Sequence, residues 1–214
     1  NSTMRQILVI ISVIAFHFQS NAQTGLGLYF SVNQNLSDES SILLGDGTNY
    51  DYEFSSLGSK TGYSVGFFHG TNISNVFYLN KAVQLSKDSR SFQISNLTDA
   101  PYDESVVDRY SIQVPITAGI KIGSFSIGVG PRLDIIASES RTQELSNTFR
   151  INQERVSWTG VLESSFSVNK FLSFNLRLQQ AFTGASSGYY YNDQPVKIDS
   201  RPKQWSAGVI VTPF

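Results

Sequence analysis

Apolar and polar residues alternate along most of this chain with a period of two. In "YSIQVPITAGIKIG", Tyr110, Ile112, Val114, Ile116, Ala118, Ile120 and Ile122 share one parity. Ser111, Gln113, Pro115, Thr117, Gly119 and Lys121 share the other. That alternation is the mark of a strand with one apolar and one polar face. "FSIGVGPRLDIIA" repeats it, with Phe125, Ile127, Val129, Leu133 and Ile135 opposed to Ser126, Gly128, Gly130, Arg132 and Asp134. So do "LSFNLRLQQAF", "TGLGLYFSV" and "TGYSVGFFHG". "VSWTGVLESSF" is weaker, and in "NVFYLNKAVQL" Lys81 intrudes among Phe77, Leu79, Val83 and Leu85. With the terminal "WSAGVIVTPF" the pattern predicts eight strands. Each is roughly 9 to 14 residues, near or above the length of a tilted membrane-crossing strand. Soluble sandwiches tend to use strands of about 5 or 6.

The connections alternate long, short, long, short, long, short, long. The short ones run through "HGTNIS", "GS" and "VNK"; a long one runs from about Gln34 to Ser59. An even strand number with this asymmetry predicts an all-β, eight-stranded antiparallel up-and-down transmembrane β-barrel with short periplasmic turns and long extracellular loops. Closure follows from physics, because lipid cannot satisfy the unpaired backbone groups of an open sheet edge. Parity alone does not say which face points inward. A soluble, lipocalin-like barrel would put the apolar face inside. Strand length, loop asymmetry and the aromatic last residue favour the membrane form.

The first segment reads as an address. Residues 4–23, "MRQILVIISVIAFHFQSNAQ", show a basic start at Arg5, an apolar core and small polar residues, the order of a secretory signal peptide. The apolar core is about 12 residues, short of the roughly 20 that span a bilayer as a helix. Cleavage is expected after Ala22 or Gln23, and the "NAQ" ending resembles signal peptides common in Bacteroidota. Residues 24–214 are then the barrel. Asn1–Thr3 precede the first Met.

Composition adds exclusions. A net charge of -1 gives no sign of a nucleic-acid partner. Cys 0 removes disulfides, thiolate metal sites and cysteine nucleophiles together. Tyr 10 and Phe 15 against one Met make the chain rich in aromatics.

The strands "VPITAGIKIG" and "GVGPRLDII", the hairpin "NKFLSFNLRLQQAFTG" and the final Phe214 together resemble the PorT-type outer-membrane β-barrel family of Bacteroidota, close in architecture to the OmpA and OmpX barrels. The resemblance covers residues 24 to 214. It implies an integral place in the bacterial outer membrane, with outer-membrane lipid around the wall. It also implies that Phe214 serves as an insertion signal read by the barrel-insertion machinery. Phe214 departs from the parity of Trp205, Ala207, Val209 and Val211, with Pro213 between.

If the apolar face is outside, Arg109, Gln113, Lys121, Arg132, Asp134, Glu163, Arg177 and Gln179 point inward. An eight-stranded barrel is just filled by such side chains, and each buried charge needs a partner. A turn centred near Lys170 sets Glu163 opposite Arg177, so the two are expected to pair. Arg132 and Asp134 are expected to join a polar plug. This cluster either holds the barrel shut or gates an ion path. The loop tripeptide Tyr189-Tyr190-Tyr191 is a contact candidate for a partner or glycan, or an interfacial anchor.

No catalytic residue, metal site or cofactor is expected. The mature chain keeps one histidine, His69, placed by this reading at a short turn. Asp38-Glu39 and Asp103-Glu104 read as solvated loop charges without the spacing of a calcium loop. The expected role is a membrane scaffold, or an interaction and accessory subunit of the cell envelope, with other envelope or secretion proteins as partners. The alternative is a narrow pore for ions or small solutes.

Overall fold

A computed structural model describes residues 24–36, 41–45, 50–96, 102–141, 149–151, 156–182, 189–191, 194–196 and 203–212. The proposed signal peptide and Phe214 lie outside the described residues. Eight strands build a wall: β1 (Thr24–Leu36), β3 (Tyr50–Asn72), β4 (Phe77–Asn96), β5 (Tyr102–Ile122), β6 (Phe125–Arg141), β8 (Val156–Ser167), β9 (Leu172–Ala181) and β12 (Lys203–Val211). A short strand, β2 (Ser41–Gly45), pairs with the far end of β3. Three more, β7 (Phe149–Ile151), β10 (Tyr189–Tyr191) and β11 (Gln194–Val196), form a separate small sheet from two of the long connections.

Every wall strand pairs antiparallel with its neighbours, in the order β1-β12-β9-β8-β6-β5-β4-β3, and β1 closes the ring on β3. On one side β1 runs from Leu28↔Val211 to Leu36↔Lys203; on the other it runs from Thr24↔Thr71 to Asn33↔Gly62. The fold is a closed eight-stranded antiparallel barrel. Closure removes the free edge that an open sheet would present.

The apolar face is outside. Leu26, Leu28, Phe30 and Val32 of β1 are exposed, while Tyr29, Ser31 and Asn33 between them are buried. On β9 burial alternates without a break from Phe174 to Ala181. Trp158, Leu162 and Phe166 of β8 face out as well. This excludes the soluble alternative, because a water-filled exterior would leave dozens of apolar side chains unburied. In register across β3, β4 and β5, Tyr63, Lys87 and Tyr110 form one outward row. It marks the boundary of the apolar band toward the long connections, where amphipathic rings settle at a membrane surface. Lys87 Nζ lies 5.7 Å from the Tyr110 ring centre.

Beyond that row the structure departs from the sequence reading. β3, β4 and β5 continue well past this row, so the gap between β4 and β5 runs only from 97 to 101. Segments such as "SKDSRSFQIS" extend as strands although they carry no apolar stripe. Ser86, Ser89 and Ser91 are buried there, but the residues between them are largely polar, so the period-two hydropathy signal vanishes. Register shifts at Ser56/Ser59, Lys60/Tyr63 and Tyr110/Ser111 bend the strands near this boundary.

The short turns follow local chemistry. Asn169 Oδ1 accepts from the backbone N–H of Phe171 and Leu172, at 2.8 and 2.9 Å. Ser74 Oγ does the same for Val76 and Phe77. Gly123 adopts φ 60, a conformation that glycine takes without a Cβ penalty, in the two-residue turn between β5 and β6. Backbone hydrogen bonds then join neighbouring turns: Lys121 to Val76, Ser167 to Ser124 and Thr212 to Phe171.

Candidate functional site in the barrel lumen

The lumen is filled by polar side chains in two connected tiers. The tier nearer the short turns centres on Glu163 of β8, which is 1% exposed. Its register partner on β9 is Arg177, whose Nε lies 2.7 Å from Glu163 Oε2. The other carboxylate oxygen accepts from Asn80 Nδ2 at 2.8 Å and Thr117 Oγ1 at 3.4 Å. Arg177 also lies over the Tyr29 ring, 4.3 Å from its centre. The buried charges are thus compensated twice, by each other and by neutral donors or a ring face.

The tier nearer the long connections centres on Arg132 of β6. Its Nε lies 2.9 Å from Asp134 Oδ1, and Thr159 Oγ1 donates to Asp134 Oδ2 at 2.8 Å. Arg132 Nη1 donates to Gln179 Oε1, to Gln204 Oε1 at 3.2 Å and to Gln113 Oε1 at 3.5 Å. Gln204 Nε2 donates to Asp88 at 2.8 Å, and Ser86 Oγ donates to the same carboxylate. Asn33 Nδ2 reaches Ser64 and Ser86. Followed from Asn33 to Thr159, this one network touches all eight wall strands. It crosses the lumen and leaves above it a cavity of about 60 Å³ at the mouth, lined by Asp88, Arg109, Arg132 and Asp134 among others. That is room for a small number of waters.

The four residues singled out as an interior cluster, Arg132, Asp134, Glu163 and Arg177, therefore all face the lumen, but in two tiers. Gln113 and Gln179 join the upper one. Lys121, placed inside by parity, is instead exposed at the short-turn rim, because its strand ends there. Arg109 is half-buried at the mouth, in register with Asp88. Asn33, Asn80 and Gln204 fall on the inward parity of β1, β4 and β12 and were not singled out, Asp88 lies beyond the segment read as a strand, and only the closed geometry shows which groups these four meet.

His69 corrects the sequence reading. It lies within β3, not in a turn, and on the outward face, in register with Leu26 on one side and Lys81 on the other. It is 3% exposed despite facing outward. Tyr189, Tyr190 and Tyr191 form a strand, not an open loop. They pair with Ile151, Arg150 and Phe149 of β7 and with Val196, Pro195 and Gln194 of β11. The small sheet ties the connection after β6 to the connection after β9. Among the described residues no group of His, Asp or Glu is placed to hold a metal ion.

No protein-family model matches the chain, and no curated protein matches it. Among solved structures, Neisserial surface protein A aligns at 18% identity and a TM-score of 0.51, covering 88% of this chain and 97% of that one. Outer membrane protein OprG of Pseudomonas aeruginosa aligns at 12% identity and 0.47, covering 88% and 91%. Ail, the attachment invasion locus protein of Yersinia pestis, aligns at 9% and 0.43, covering 88% and 97%. At these identities the first likeness bears on the fold: a small barrel of the outer-membrane type.

Proposed function

We propose that this protein is an integral outer-membrane barrel of the PorT-type kind its sequence resembles, exported by its N-terminal segment and closed to solute flow. Its role is that of a scaffold or accessory subunit for other envelope or secretion proteins, and it is not an enzyme. The short turns face the periplasm and the long connections face outward. The observation that carries the reading is the hydrogen-bonded network from Asn33 to Thr159, with Gln113 and Gln179 joined to it at Arg132, which links every wall strand across the lumen. A barrel built for flux would keep water there, whereas this interior spends its polar groups on one another. What remains for interaction is the surface that the long connections present, including the sheet containing Tyr189–Tyr191.

The test is electrical. Purified barrel in a planar bilayer is expected to give no discrete conductance steps. Regular steps at neutral pH would replace this reading with the narrow pore. Photo-crosslinking from positions 189–191 in living cells should then capture a discrete envelope protein, and a barrel that captures none would remove the accessory role from this sheet.

A further inference from the structure

Charge is distributed unevenly along the barrel axis. Among the described residues, the half toward the short turns holds one carboxylate, Glu163, and that one is inside and paired with Arg177. The same half carries three lysines outside the lumen: Lys81, Lys121 and Lys170. They are spread evenly, one to each hairpin. Lys81 belongs to the β3–β4 hairpin, Lys121 to β5–β6 and Lys170 to β8–β9.

Each of these hairpins also exposes a phenylalanine near its tip: Phe77 at 57%, Phe125 at 60% and Phe171 at 46%. Ile73, Val76, Ile122 and Val168 are exposed beside them. Lys170 Nζ lies 4.8 Å from the Phe171 ring centre. Lys81 stands on the lipid-facing wall itself, in register with Ile116 and His69. A turn meant for open water would carry polar tips and mixed charge. Tips that are apolar with lysine, and free of carboxylates, fit a surface that is apolar just below an anionic layer. Backbone bonds from Lys121 to Val76, Ser167 to Ser124 and Thr212 to Phe171 join the neighbouring turns into one rim, with Lys121 and Lys170 in it and Lys81 on β4 just beyond Phe77.

We propose that this rim is a docking surface for anionic phospholipid headgroups. Lys81, Lys121 and Lys170 meet the phosphates, while Phe77, Phe125 and Phe171 settle at the acyl boundary. The proposal rests on the reading that the short turns face the periplasmic leaflet, and it names the lipid class found there. Each lysine near an anionic surface is worth enough to be measured. The pattern supplies one contact per hairpin around three of the turns.

The experiment uses the purified barrel in bilayers containing spin-labelled phosphatidylglycerol or phosphatidylcholine, with the motionally restricted fraction read by electron paramagnetic resonance. The native barrel is expected to prefer phosphatidylglycerol by about three-fold or more at low salt. The preference should collapse in high salt, where screening is short-ranged. It should also collapse in the Lys81→Gln, Lys121→Gln, Lys170→Gln triple variant and survive in the matching triple arginine variant. Equal affinity in the native barrel, or a preference that the glutamine variant keeps, overturns the proposal. So does a rim whose lysines alter crosslinking to an acidic envelope protein without altering lipid preference. Heat-dependent gel mobility checks folding, and pairwise variants give the same readout where the triple variant does not fold. Orientation is read separately. Labelling of Asn169→Cys by an impermeant maleimide in intact cells would reverse the topology while leaving lipid preference in vesicles unchanged.

Discussion

Glu163 and Arg177 stand directly opposite each other on β8 and β9, and their side chains meet at 2.7 Å inside the barrel. Neither can be removed alone without stranding the other in a site that is almost dry. Glu163→Gln is expected to lower stability by about 3 kcal/mol, the usual cost of breaking a buried pair from one side. Urea unfolding in detergent micelles measures it. The double variant Glu163→Gln, Arg177→Gln should recover more than half of the loss, and failure to recover would assign the cost to Asn80 and Thr117 instead.

If the barrel is closed as proposed, the upper tier is where opening it should show. Arg132 holds Gln113, Gln179 and Gln204 across the lumen, so Arg132→Ala removes the centre of the network. Planar-bilayer recordings of this variant should show discrete ion steps, against none expected for the native barrel. A silent Arg132→Ala would mean that the lower tier alone seals the lumen. A conducting Glu163→Gln with a silent Arg132→Ala would place the seal at Glu163.

Acid should loosen the wall outside the membrane. Asp108 lies above the Tyr63–Lys87–Tyr110 row, with Lys87 Nζ at 2.8 Å and Ser89 Oγ at 2.6 Å. The hydrogen bond from Lys87, and then that from Ser89, hold its carboxyl below the usual range. A depressed folded value means that its contribution is present above the unfolded pKa and is lost as pH falls through the folded one. Hydrogen exchange of the β4–β5 extension should therefore quicken below about pH 4, near the ordinary carboxylate value. Asp108→Asn should remove that step and leave the membrane-embedded strands unaffected.

The β5–β6 turn depends on one backbone angle. Gly123 sits at φ 60, where a side chain is strained. Gly123→Val is expected to cost about 1 to 2 kcal/mol, read as slower refolding into micelles and a lower unfolding midpoint. Ser124→Ala, its neighbour in the turn, serves as the control and should change little.

Much of this structure was legible in the period-two pattern. Leu26 to Val32, Tyr63 to Phe67 and Phe174 to Leu178 show their outward face in the sequence because lipid on one side and a filled lumen on the other demand strict alternation. The Glu163–Arg177 register was legible too, since a short turn near Lys170 leaves few ways to align two strands. The extensions of β3, β4 and β5 were not, because their buried positions include serines as well as Phe54 and Val107, so burial there does not follow hydropathy. The strand Tyr189–Tyr191 was hidden for another reason: its partners come from β7, a connection earlier, and no local pattern encodes that pairing.

By itself the sequence determined the number of wall strands, the alternation of their faces and the asymmetry of their connections. These are local consequences of side-chain polarity and turn chemistry. Which face turned inward was decided by the tertiary structure, since parity is the same for a barrel and its inside-out counterpart. Closure also decided which polar groups meet. Asp88 and Gln204 are 116 positions apart, and Arg132 and Gln204 are 72 apart, yet each pair bonds across the lumen. Only a ring of eight strands brings such residues within hydrogen-bond reach, and inside that ring a polar group excluded from water must find its partner on another strand.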